Sequence, residues 1–110
     1  MSDDVARTTL LDLVIEPGPT TTVGLTGDLD PATAPGLEQA LASLAADPAV
    51  ERVVLDLGGL GFLDSSGLRV FVTAREALLA RGADLALHRP SRNIRRLLDI
   101  TGLGEVIEVE

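Results

Sequence analysis

A chain of 110 residues, 45% of them apolar, has the size and hydrophobic content of one folded domain, and its formal charge of −8 lacks the basic footprint of nucleic-acid binding. Without cysteine there are no disulfides, thiolate nucleophiles or cysteine-based zinc sites. All nine basic residues are arginine, so lysine-dependent chemistry such as a P-loop or a Schiff base is excluded as well. No apolar run approaches the ~20 residues of a membrane span, and the acidic, polar start MSDDVART is unlike a signal peptide, so a cytoplasmic protein is expected.

Residues 1–7 read as a loose tail. Thr8 to Glu16 (TTLLDLVIE) has the pattern of a strand, which Pro17-Gly18-Pro19 ends. Thr20 to Gly27 is β-branched and alternating, as an antiparallel partner would be, and Asp28-Leu29-Asp30-Pro31 begins a turn. Thr33 lies near the N-cap of a helix that runs to about Ala46, with Pro35 in its first turn and Leu37, Leu41 and Leu44 on one stripe. A strand over Arg52 to Leu57 follows, then a flexible glycine turn (Gly58-Gly59-Leu60-Gly61). A second helix spans about Ser66 to Arg81, with Val70, Phe71, Ala74, Ala77 and Leu78 inward and Gly82 at its end. Ala83 to His88 is a strand, Pro90-Ser91 opens a last helix that Thr101-Gly102 closes, and Glu105 to Val109 is a final strand. This order implies an α/β fold, a mixed β-sheet covered by α-helices in a single domain over residues 1–110.

Catalytic constellations are scarce. His88, the single histidine, sits at a strand end and reads as solvated or packed, and nothing supports a triad built from it with Ser65 and Asp64. The glycines at 58, 59 and 61 lack the later glycine of a dinucleotide fingerprint. Arg89, Arg92, Arg95 and Arg96 form the basic cluster of the chain; they fit a solvated face balanced by Asp99, or a secondary contact for an acidic partner. Asp64-Ser65-Ser66-Gly67 stands at a strand-to-helix junction. It reads either as an ordinary N-cap, with a serine oxygen accepting a backbone N–H, or as a pair of hydroxyls placed where an added phosphate would be tolerated.

Three segments resemble the STAS-domain family, specifically bacterial anti-sigma factor antagonists. LTGDLDPATAPGLEQAL is similar to the family's turn and first helix, VVLDLGGLGFLDSSGLRVFV to its strand and switch, and SRNIRRLLDITGLGEVIEV to its closing helix and strand. The resemblance implies that Ser65 is phosphorylated by an anti-sigma factor serine kinase, with Ser66 as second choice, and that a serine phosphatase resets it. It implies a partner-binding surface of Asp28, Asp30, Asp64, Ser65, Ser66, Gly67, Leu68 and Arg69. Position 69 departs from the family pattern, which more often has glycine there. No catalytic residue, metal, cofactor, nucleic acid or membrane contact is expected, and the oligomeric state stays open. Other outcomes remain in view: a non-phosphorylated STAS subunit of a lipid-transport or transporter complex, a stress-sensing scaffold, or a free-standing enzyme.

Overall fold

The computed structural model describes residues 10–110, so the tail expected at 1–7 and the strand start expected at Thr8 lie outside the described residues. Strands β1 (Leu11–Glu16) and β2 (Thr20–Leu29) form a hairpin around Pro17-Gly18-Pro19, antiparallel from Leu11 opposite Gly27 to Glu16 opposite Thr22. Three crossover units follow. Helix α1 (Ala34–Ala45) leads to β3 (Arg52–Leu63), α2 (Ser65–Leu79) to β4 (Asp84–His88), and α3 (Arg92–Thr101) to β5 (Glu108–Val109). The sheet keeps the order β1-β2-β3-β4-β5, and β2 through β5 are parallel.

Parallel crossovers are right-handed, and three that step the same way across a sheet put their helices on one face. The burial pattern agrees. Val23, Val53, Leu55, Leu85 and Leu87 are fully buried in one core with Leu37, Phe71 and Leu98 from the three helices. The residues between them, Val54 and Ala86, are apolar and buried on the other face, where charged groups flank them toward the strand ends. Arg52 reaches Glu110 at 2.9 Å and Glu108 at 3.5 Å, His88 Nε2 lies 3.1 Å from Glu110, and Arg89 pairs with Asp56 at 2.9 Å.

At its far end, the sheet-covering layer is tied by one side chain. Arg81, just past α2, donates to the carbonyls of Asp47 and Val50 at 2.8 and 2.7 Å and, through Nε, to that of Ala45. These oxygens belong to the end of α1 and the loop beyond it, where intrahelical partners run out. No helix among the described residues is long and apolar enough to cross a membrane.

Four expectations need correction. The glycine segment after Leu57 is strand, not a flexible turn: β3 continues to Leu63, with Gly59 opposite Thr26 and Leu60 opposite Gly27. Asp28 likewise belongs to β2 rather than to a turn. Ala77 is exposed, since α2 buries only the narrower stripe of Gly67, Val70, Phe71, Ala74 and Leu78. The final strand is shortened to Glu108–Val109 because Leu103–Glu105 winds into a 3-10 turn.

Candidate docking and modification site

Because β2 and β3 run parallel and adjacent, the segments leaving their C-terminal ends lie together, the edge at which open α/β sheets place their sites. Asp28 is opposite Phe62 and Leu29 opposite Leu63. The β2–α1 turn and the β3–α2 junction therefore share one rim, which brings Asp28 and Asp30 to Asp64, Ser65 and Ser66. The pairing slips twice on the way. β3 advances from Asp56 to Gly59 while β2 advances from Gly24 to Thr26, and from Leu60 to Phe62 while β2 moves only from Gly27 to Asp28. Each slip is a bulge, a device that re-aims side chains near a site. Gly59 permits the first, since a Cβ there would stand 2.6 Å from Thr26 Oγ1 and 2.9 Å from the Leu25 carbonyl.

At the junction Asp64 is extended (φ −126°, ψ −170°), and its Oδ1 accepts the N–H groups of Ser66 at 2.9 Å and Gly67 at 3.4 Å. The cap of α2 is thus the aspartate and not a serine, as the ordinary N-cap reading had it. Ser65 is the first helical residue and exposed, and Ser66 is half-buried. Among the described residues neither hydroxyl has a hydrogen-bond partner. Their oxygens hold nothing in the fold together.

Gly67 is buried, and a Cβ there would lie 2.5 Å from Leu63 Cδ1 and 2.6 Å from Leu29 Cγ and Cδ2. Its contribution to the rim is indirect: it lets the first turn of α2 settle onto the strand ends. Leu68 is half-buried against the core, and Arg69 is exposed.

The acidic turn is locked from within. Asp30 Oδ1 accepts the N–H groups of Ala32 and Thr33 at 2.9 and 3.1 Å. Thr33 stands at the N-cap of α1, yet its hydroxyl turns back, donating to the Asp28 carbonyl at 2.8 Å and accepting the Asp30 N–H at 3.0 Å. Asp30 is therefore a turn-former as well as a rim carboxylate, and Asp28 is half-buried beside it.

Between the starts of α1 and α2 runs a groove of about 180 Å³ lined by Pro31, Ala34, Pro35, Glu38, Ser66, Arg69 and Val70. Phe62, 48% exposed, stands on the same rim. Sequence reasoning overlooks Phe62 and the groove wall formed by Pro31, Pro35 and Glu38. The strand period offers a signal for Phe62: with Leu63 inward, the preceding aromatic must point out. The basic cluster lies elsewhere, on α3, where Arg95 meets Asp99 at 3.6 Å and Arg92 and Arg96 are exposed.

Comparison with known proteins gives a consistent result. The family model described as STAS domain matches residues 11–110. The anti-sigma-B factor antagonist of Bacillus subtilis (strain 168) is 36% identical over 87 residues, which is 79% of this chain and 78% of that protein. The anti-sigma-B factor antagonist of Listeria monocytogenes is 38% identical over 86 residues, 76% of this chain and 73% of that protein. The crystal structure of an anti-sigma factor antagonist from Mycobacterium paratuberculosis superposes with a TM-score of 0.83 at 28% identity, covering 91% of this chain and 85% of that one. With the five-stranded mixed sheet, the three helices and a match that spans every described element, the chain belongs to the STAS domain family.

Proposed function

We propose that this chain is a cytoplasmic anti-sigma factor antagonist, switched off by phosphorylation of Ser65. Unmodified, it docks on an anti-sigma factor with serine kinase activity through the rim of Asp28, Asp30, Phe62, Asp64, Ser65, Ser66 and Arg69, and the sigma factor held by that kinase is released. ATP is brought by the kinase. Ser65 Oγ forms a bond to the γ-phosphorus as the bridge to ADP breaks, and the hydroxyl proton passes to a base on the kinase. A serine phosphatase reverses the ester. The chain is a protein substrate and a competitor, not a catalyst.

One observation carries the reading: Ser65 is an exposed hydroxyl with no structural task, one residue beyond an aspartate that caps the helix alone. Esterifying it costs the fold no hydrogen bond. At the interface the result is different. A phosphate adds about −1.5 to −2 charges to a rim already bearing Asp28, Asp30 and Asp64, and a rearrangement of a few kcal/mol changes affinity about 10²-fold. The identity to antagonists of Bacillus and Listeria supports the partner class.

The test is mass spectrometry after incubation with ATP and candidate kinases of the same cell, with binding measured alongside. Ser65→Ala should remain folded, take up no phosphate and keep its kinase, whereas Ser65→Asp should bind at least about tenfold more weakly. Full phosphate uptake by Ser65→Ala would move the acceptor to Ser66.

A further inference from the structure

Resting on the reading of Ser65 as the phosphorylated hydroxyl, we propose that Arg69 is the resident counter-ion of that phosphate, drawn from the docking rim onto Ser65 once the ester forms.

The start of a helix usually offers an anion its unpaired amides. Here three of the four are taken, and the N–H of Ser65 has no acceptor among the described residues. Asp64 Oδ1 holds the N–H groups of Ser66 and Gly67, and the Leu68 N–H bonds the Asp64 carbonyl at 3.1 Å. A phosphate on Ser65 therefore meets at most one open amide beside a neighbouring carboxylate, and a nearby cation offsets the charge that remains. Residues four apart on a helix lie one above the other, roughly 5–6 Å between Cβ atoms, which puts Arg69 over Ser65. Both side chains are exposed, while Val70 and Ala74 occupy the buried side of the helix. Among the described residues Arg69 makes no ion pair. The carboxylates around the pair are Glu38, which lines the same groove, Asp64 at the cap, and Asp28 and Asp30 on the adjoining stretch of the rim. The next arginine on α2, Arg75, is more than two turns beyond Ser65. The planar guanidinium fork also matches phosphate oxygens two at a time.

Modification then does two things at the rim. It adds a dianion, and it withdraws the arginine that an acidic partner surface would otherwise engage. Glycine at this position, the more frequent residue of the family pattern, supplies only the first effect. In this chain the switch works partly by subtraction.

Phosphoserine installed at position 65 by amber suppression tests the pair without any kinase, in the full chain and in its Arg69→Gln and Arg69→Glu variants. Thermal melts of the unmodified variants check that both fold. In a 31P NMR titration the phosphate should lose its second proton at a pH lower by about 0.3 unit or more with Arg69 than with glutamine, the size expected of an i,i+4 ion pair. Glutamate should move the titration in the opposite direction, and about 1 M salt should compress all three differences. Coincident titrations with arginine and glutamine overturn the pairing whichever hydroxyl a kinase uses. A kinase-treated chain bearing its phosphate on Ser66 instead overturns the acceptor reading, because the Ser65–Arg69 pair is then never created in the cell.

Discussion

Helices α2 and α3 both start on serine-containing segments after a parallel strand, and they use serine in opposite ways. At α3 the hydroxyl is structural: Ser91 is the N-cap, and its oxygen accepts the Ile94 N–H at 3.3 Å. At α2 the cap is Asp64, and the hydroxyls of Ser65 and Ser66 engage no described residue. A capping hydroxyl cannot be esterified without disturbing the cap, whereas one standing just past the cap can. Division of labour between an aspartate that holds the helix and a serine that does not is what makes a reversible ester compatible with this fold.

The third helical positions sharpen the contrast. Ile94 fills that position in α3 and packs into the core, while Gly67 fills it in α2 under Leu29 and Leu63. Gly67→Ala should lower the unfolding free energy by about 1–3 kcal/mol through overpacking, read as a fall in the urea midpoint. Alanine is the better helix former by roughly 0.5–1 kcal/mol. A net gain in stability would therefore mean that the leucines yield, and that close approach is not what glycine provides.

A smaller effect tests the division of labour itself. Asp64→Ala and Ser91→Ala should each cost about 1 kcal/mol, the usual loss on removing a cap. Ser65→Ala and Ser66→Ala should stay within about 0.5 kcal/mol of the parent. If Ser65→Ala proves as costly as Ser91→Ala, the hydroxyl has a structural duty and is not available for modification on these terms.

These two helix starts also show where local sequence ceases to inform. Ser91 and Gly102 bracket α3 as their residue types require, the glycine at φ +78°, and Leu37 and Leu41 mark the buried stripe of α1 by spacing alone. At α2 the junction is legible but the capping oxygen is not, because aspartate and serine cap about equally well. The extended backbone at Asp64 decides it. The second half of β3 is hidden for a different reason. Three glycines within four residues have the composition of a turn, and only the pairing with β2 makes a strand of them. Arg81 is more remote still, since the carbonyls it binds precede it by 31 to 37 residues. The acidic-hydroxyl pair of the site is thus visible in the chain, and Phe62 follows from the strand period once β3 is known to reach Leu63, whereas the proline-lined groove and the buried task of Gly67 appear only once the elements lie side by side.

Acid should distinguish the two helix starts last and most weakly. The link into α3 passes through Arg89, which adopts φ +55° and is bound to β3 by two contacts, Nε to Asp56 Oδ1 at 3.1 Å and Nη2 to Oδ2 at 2.9 Å. The Arg89 guanidinium, with help from the Gly58 N–H, holds the Asp56 carboxyl below its ordinary value of 3.8. A group whose folded value is depressed contributes stability above its unfolded value and loses it as pH falls through the folded one. The Asp56 contribution is therefore complete at neutral pH and declines from about pH 4 downward. Because Arg89 is largely exposed, solvent screens the pair, and the effect should be the smallest of all those compared. Urea midpoints measured from neutral pH to about pH 3 should fall more steeply for the parent than for Asp56→Asn or Arg89→Gln, both of which begin slightly less stable. Parallel curves for the parent and Asp56→Asn would show that the entry to α3 depends on backbone geometry alone and not on charge.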